Sequence, residues 1–518
     1  MSVARVRVFP GAYRDSLLLL SATRAMNDGT GVGWAAAVMA IPANVDEVAG
    51  HGVPADDLAG TDANALLLAV SAEDSAAAEE ALQRGHAALF ASERGPGRGA
   101  AGGEADGPVP LTVDDAAARL PEANVAVVSV PGPYAAIAAD CALSAGLHVL
   151  LFSDNVPLAQ EVALKDRASR LGRLVMGPGA GTAVLGGIGL GFANKVTAGP
   201  VGVVAAAGTG AQEVMTLLDR WGIGVSQVVG VGGRDLSAEV GGRMARDAVR
   251  ALDDDPGTQV ILLVSKPPDP AAVKAVIGAS TRTPVVAACL GMSSADGTVA
   301  GARRAVTLED ACRQVAAMLG RDVPEPAEGL SAAVANAAGW IGAARTAVRG
   351  FYTGGTLCYE AQVVLTSLLR PVYSNVPLTP DRQVPAPAHA HVCLDLGEEE
   401  YTRGRPHPMI DPAARREIMR EQAFGADVAA VLIDVVLGYG SHDDPAREIA
   451  GTCADIVASG AAVVAYVLGT PGDPQGFEAQ RRVLRDAGAI VTQTAAEAAR
   501  AGAAIASRQP GLVLRAGA

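Results

Sequence analysis

The sequence predicts an α/β chain of tandem doubly wound domains, Rossmann-like and flavodoxin-like, behind a small N-terminal α+β domain. Three observations carry that expectation. From residue 111 onward, short apolar runs alternate with helix-length amphipathic stretches. The apolar runs are continuous instead of alternating, the pattern of parallel strands covered on both faces. Half of the residues are hydrophobic but only 3% are aromatic, and 61 are glycine, which suits close-packed layers joined by tight turns. A length of 518 residues exceeds one core and calls for several domains.

Residues 1–92 read as the small α+β domain. They hold alternating Arg5–Val8, an apolar helix from Leu17, and strands over Trp34–Met39 and Ala65–Ala72. Residues 93–110 are a Gly/Pro-rich linker without periodicity. Residues 111–195 form a Rossmann-like unit, with strands at Val125–Val130 and His148–Phe152. Residues 196–322 form a flavodoxin-like unit built on strands near Val201, Gln227–Val231, Gln259–Val264 and Val285–Cys289. After a second linker, residues 331–508 repeat that rhythm, with strands His391–Leu396, Val428–Val436 and Val463–Leu468.

Net charge is −14, which argues against a nucleic-acid or anionic-membrane surface. Mean hydropathy is +0.26, yet no apolar run reaches the roughly 18–20 residues that span a bilayer. The N-terminus lacks the apolar core of a signal peptide, so a cytoplasmic location is expected. Six scattered cysteines contain no CxxC pair, giving an expectation of free thiols and no metal.

Ligands of doubly wound sheets sit beyond the carboxyl ends of the strands. Gly208-Thr209-Gly210 ends one apolar strand and opens a helix. Unpaired N–H groups and the helix dipole make that a phosphate site. Gly354-Gly355-Thr356 repeats the device, so the two turns are expected to face one phosphate-bearing group. Arg234, Asp235 and Lys266 follow other strand ends, as do Asp154 and Asn155. Arg234 and Lys266 suit stabilisation of phosphate or carbonyl oxygen, and Asp154, Asn155 and Asp235 suit ligand contact. Arg403, Arg405 and His407 share a proline-braced loop that suits an acidic acceptor, with His407 as acid or base.

These strings resemble a known family. The block 111–320 resembles the α subunit of succinyl-CoA synthetase, and 350–508 resembles the carboxy-terminal domain of its β subunit. The whole chain, through GTGAQEV (208–214), GVGGRDLSAEVGG (230–242), YTGGTLCYE (352–360), GRPHPMIDP (404–412) and LGYGSHDDP (437–445), resembles FdrA. That resemblance implies an acyl- or carbamoyl-group transferase, with carbamoyl phosphate and an oxamate-like amide as substrates in allantoin breakdown. The alternatives are an acyl-CoA synthetase, for which CoA would bind, and a non-catalytic scaffold for an acyl phosphate or CoA ester. No cofactor is required on the first reading. The partners expected are small anionic substrates, subunits encoded nearby and further copies of the chain, with no nucleic acid and no membrane.

Departures from the synthetase favour the transferase. Residues 289–305 contain no histidine where the α subunit carries its phosphorylated one. No ATP-grasp segment or glycine-rich CoA turn is evident. Where FdrA-like chains read GPxCGT, this one reads Gly177-Pro178-Gly179-Ala180-Gly181-Thr182.

Overall fold

The computed structural model describes residues 3–12, 14, 16–90, 110–292, 302–324, 329–369, 371–403 and 405–514. The linker read at 93–110 lies outside them except for Pro110. So do residues 293–301 of the histidine-free segment and 325–328 of the second linker.

The described chain forms two compact units. Residues 1–109 and Arg403–Pro406 make the first; 110–402 and 407–518 make the second. In the first, β1 (Val3–Phe9), α1 (Ser16–Asn27), β2 (Val32–Met39), α2 (Pro42–Gly50), α3 (Ala55–Leu58), β3 (Leu66–Ala72) and α4 (Ser75–Phe90) follow in order. The antiparallel sheet runs β1-β3-β2. Central β3 is buried on both faces, under Ala22, Met26 and Leu82 on one side and Val48, Val53 and Leu58 on the other.

The second unit opens with α5 (Val113–Arg119), β4 (Val125–Val128), α6 (Gly132–Ser144), β5 (His148–Leu151), α7 (Leu158–Leu171) and β6 (Val175–Met176). These three strands form a parallel layer in the order β4-β5-β6. Then come β7 (Thr182–Leu185), β8 (Ile188–Gly191), β9 (Ala198–Ala205), α8 (Gly208–Arg220), β10 (Val225–Gly230), α9 (Arg243–Asp254), β11 (Val260–Ser265), α10 (Pro270–Ile277), β12 (Val285–Cys289), β13 (Ala302–Arg304) and α11 (Leu308–Met318). Their sheet runs β13-β12-β11-β9-β10-β7-β8. The Rossmann-like unit drawn to residue 195 therefore ends too late. The hairpin β7–β8 pairs antiparallel with β10 through Val184 and Val228 and belongs to the next sheet. Its strands have only four residues each, one of them Ile-Gly-Leu-Gly, too short to give a periodic signal.

The last part holds α12 (Leu330–Trp340), β14 (Ala347–Tyr352), α13 (Gly355–Leu368), β15 (Val372–Ser374), β16 (His391–Asp395), α14 (Glu399–Thr402), α15 (Ala413–Gln422), β17 (Val428–Val436), α16 (Pro445–Ala458), β18 (Ala462–Leu468), α17 (Phe477–Asp486), β19 (Ile490–Thr492) and α18 (Ala495–Ser507). All six strands are parallel, in the order β15-β16-β14-β17-β18-β19. Each large sheet grows outward in both directions from an early strand, β9 or β14. Strand order reverses at those two strands, which is where ligands of such sheets bind.

One apolar cluster joins the two large sheets, from Val203 and Leu217 through Leu365 to Val464 and Ile505. Helix α18 lies inside it and is buried from Ala495 to Ala506. Alanine suits that place: it is the best helix former and loses no side-chain freedom on burial. Among the described residues no helix is long and apolar enough to cross a membrane.

Candidate active site

Strand β9 ends at Ala205, and α8 begins three residues later with Ala207 as an extended N-cap that has no side-chain cap bond. Strand β14 delivers α13 in the same way, with Gly354 as N-cap. The two helix ends meet. Thr356 N–H donates to Thr209 Oγ1 at 3.3 Å. A Cβ on Gly354 would stand 2.7 Å from Thr209 Cγ2, and one on Gly210 would stand 2.9 Å from Thr356 Cγ2. Glycine is required at both positions by this approach, not by left-handed backbone. Gly208 is exposed, and Thr209 and Gly355 are half-buried, so the paired ends open to solvent.

The second turn is held from below. Buried Asp434 on β17 accepts Thr353 N–H at 2.9 Å, Thr353 Oγ1–H at 3.0 Å and Gly354 N–H at 3.0 Å. Arg415 on α15 pairs with Asp434 at 3.1 Å and donates to Phe351 O at 2.7 Å. A carboxylate buried this deeply needs such a partner.

Three ionisable groups flank Gly355 and Gly397. Lys266, one residue past β11, brings Nζ to 2.9 Å from where a Gly355 Cβ would lie, and it reaches Glu398 Oε1 at 3.9 Å. Asp395 closes β16 and is buried, and its Oδ1 accepts Gly397 N–H at 3.0 Å. Burial pushes its carboxyl up to about 7, against the pull of Lys266. His407 places Nε2 2.6 Å from the missing Cβ of Gly397. Its Nδ1 accepts Met409 N–H at 3.2 Å, and burial pushes its pKa down to about 4. The imidazole is therefore neutral, with its proton on Nε2. It presents an N–H donor to the site.

The structure thus brings Gly208, Thr209, Gly210, Gly354, Gly355, Thr356, Lys266 and His407 together. Other sequence candidates go elsewhere. Asp235 is wholly buried; it pairs with Lys165 Nζ at 2.8 Å and accepts Met244 and Ala245 N–H at the start of α9. Lys165 also pairs with Glu161 at 2.8 Å, and Arg234 reaches the other oxygen of Glu161 at 2.8 Å. Asp235 neutralises the buried Lys165 ammonium, and Arg234 is engaged by Glu161, the second counter-ion of that ammonium, and by Val156 O at 2.7 Å. Asp154 and Asn155 lie in the turn after β5. Asn155 has φ +54° and donates to its neighbour's carboxylate, and both backbone carbonyls press on Gly132. Arg403 and Arg405 fall in the first compact unit, whereas His407 falls in the second. The loop read as one arginine-rich acceptor site is divided between them.

Sequence reasoning missed Asp395, Asp434 and their supports Asn375 and Arg415. Each acid sits within or at the end of an apolar strand, where an acidic residue without a partner would be costly. That local conflict was the available signal.

A family model described as CoA-ligase matches residues 351–505. One described as "AllF, heavy metal-associated domain" matches residues 1–105. That segment contains no cysteine, and no group of three or more metal-ligating side chains occurs among the described residues. The residues present do not fit a soft metal ion, which takes thiolate ligands. Over 514 residues the chain is 35% identical to the uncharacterized protein YahF of Escherichia coli, covering 95% of this chain and 96% of that one. It is 29% identical over 148 residues to the succinate–CoA ligase α subunit of Methanothermobacter thermautotrophicus, covering 28% of this chain and 49% of the relative. With α subunit 1 of Archaeoglobus fulgidus it shares 31% over 176 residues, covering 33% and 58%. Among solved structures, the dinucleotide-forming acetyl-CoA synthetase 1 of Ca. Korarchaeum cryptofilum, in complex with phosphate and ADP, aligns at 18% identity. That alignment has a TM-score of 0.32 and covers 76% of this chain and 84% of that one.

Proposed function

Because the chain belongs to the FdrA family, and carries a CoA-ligase-type domain, we propose that it transfers an acyl group between phosphate and CoA at the paired helix ends. The observation that carries this reading is the contact of the two glycine-led turns through Thr356 N–H and Thr209 Oγ1. Two helix N-termini aimed at one point stabilise the charge that gathers on phosphate as its bond to the acyl carbon breaks. Lys266 adds a cation at the rim, and the His407 Nε2–H donates to an oxygen of the reacting group.

CoA would supply the thiol that accepts the acyl group. The residues present fit its long arm: the Phe152 and Phe192 rings stand 5.7 Å apart, and Phe192 lies 6.5 Å from His407. This line of rings leads from the end of β5 to the cradle, so Phe152, Phe192 and the turns at 129–133 and 153–155 are the residues that would hold it.

A second reading is carbamoyl transfer from carbamoyl phosphate to an oxamate-like amide, in a cytoplasmic complex with partner subunits. It is favoured by the absence of histidine from residues 289–305, since a ligase relay needs a phosphohistidine there. The test is direct. Acetyl, succinyl and carbamoyl phosphate are each offered with CoA or oxamate, and thioester and carbamoylated product are measured. Thioester supports the first reading and carbamoyl-oxamate the second. Phosphate binding without either product rejects both, leaving a non-catalytic binding protein.

A further inference from the structure

A carboxyl group stands beside the helix ends that phosphate binding alone does not explain. Asp395 is 2% exposed. Asn375 grips its backbone from both sides, donating to Asp395 O and accepting Asp395 N–H, each at 2.9 Å. Its Oδ2 lies so close to the first residue of α13 that Gly355 could carry no Cβ. Its Oδ1 is 3.2 Å, and His407 Nε2 2.6 Å, from the missing Cβ of Gly397. Two glycines thereby hollow a cradle lined by an acid, the Lys266 ammonium and an imidazole N–H, against one of the two helix ends that meet.

We propose that Asp395 carries the proton of the transfer step and is a catalytic residue of the phosphate-linked reaction. This rests on the reading given under Proposed function. The acceptor's S–H or N–H heteroatom forms a bond to the acyl carbon. The bond from that carbon to the phosphate oxygen breaks, and its electron pair leaves on phosphate. The acceptor's proton passes to the Asp395 carboxylate and from there to the departed phosphate, which restores the carboxylate. His407 is not available as the base, because Nε2 already holds a proton. Several groups face Asp395. Lys266, from the turn after β11, favours its ionised form; Glu398, before α14, and Asp434, on β17, oppose it. Tyr401 on α14 and Cys358 on α13 are neutral neighbours. Burial outweighs the cation and sets the group to about 7, where it can both take and return a proton near neutrality.

Asp395→Asn keeps the shape and the backbone bonds while removing the ionisation. In the assays above its kcat should fall by roughly 10²–10⁴-fold, the usual share of general acid–base catalysis. The limb of the wild-type pH–rate profile near neutrality should vanish. Calorimetry with inorganic phosphate should show affinity retained or improved, without the weakening that an ionising neighbour imposes on the wild type as pH rises. Full kcat with an unchanged pH profile would overturn the proposal and leave the proposed function standing. If the wild type turns over no substrate pair, the proposed function falls and this inference falls with it. A wild type that binds no phosphate brings down the proposed function, and this inference with it. Should Asp395→Asn fail to fold, Lys266→Met takes its place: loss of the cation must move the neutral limb to higher pH, and an unmoved limb counts against Asp395.

Discussion

Two aspartates that each follow an apolar strand show how far single residues could be read. Asp235, beside Arg234, looks from sequence like a ligand-binding pair, but it is the counter-ion of Lys165 from a helix seventy residues earlier. No local pattern announces a partner at that separation. Asp395 carries no motif either, and its importance comes from Asn375, Gly355 and Lys266, which only the fold assembles. The glycine turns were legible because a strand, two glycines and a helix start are contiguous in sequence. These assignments separate in experiment. Asp235→Asn should destabilise the protein by about 1–3 kcal/mol, the cost of weakening a charge-assisted bond to a buried ammonium that keeps Glu161 as its other partner, as measured by chemical denaturation. Phosphate affinity of the folded fraction should not change; a weakened affinity would return Asp235 to the site. Thr209→Val should weaken phosphate binding by about 1 kcal/mol, roughly fivefold, through loss of the hydroxyl that receives Thr356 N–H. Thr209→Ser should bind like wild type, and calorimetry checks both.

At the scale of elements, α8 and α13 each bury a glutamate one and a half turns beyond the glycine turn. Glu213 accepts the Tyr466 hydroxyl at 2.6 Å, and Glu360 accepts Leu308 N–H at 2.6 Å. Glu213 Oε1 and Glu360 Oε2 take no hydrogen bond from any described residue. Burial raises both carboxyls, and the mutual proximity of the two glutamates raises Glu360 further. In the unfolded chain each would titrate near 4.5. Between that value and the raised one the folded state binds more protons, so stability falls as pH rises. The contribution is fully present below about 4.5 and is lost as pH climbs through about 7 for Glu213. Glu213→Gln should flatten the decline in thermal midpoint between mildly acidic and mildly alkaline buffer. An undiminished slope would place the titration in other groups. The period of these helices was legible in sequence, but the acid-to-acid pairing was not, because it depends on two helices that cross between sheets.

The two large sheets of the second unit are tied by a shared apolar cluster, in which α18 from the carboxy-terminal part packs against α13, α12 and α11. Sequence rhythm divides this region cleanly at residues 196–322 and 331–508, since each half winds its own sheet. The division does not extend to the core. Residues 331–518 expressed alone would expose the face that α8 and α11 cover, with Leu357, Val364 and Ile505 among the apolar side chains laid bare. That fragment should be insoluble or lack cooperative unfolding by circular dichroism, and co-expression with residues 110–324 should rescue it. A fragment that unfolds cooperatively on its own would show that the cluster is dispensable.

The contact between Thr209 and Thr356 spans 147 positions of chain, so the paired helix ends, and the anion site proposed at them, are made by docking and do not exist in either half beforehand. Any anion that binds there also binds the docked arrangement in preference to the separated one. By linkage its binding energy becomes cohesion between the halves: phosphate at a hundred times its dissociation constant adds about 2.7 kcal/mol. On the proposed function phosphate would then act on the protein twice, as a reactant between the helix ends and as a mortar that keeps them together.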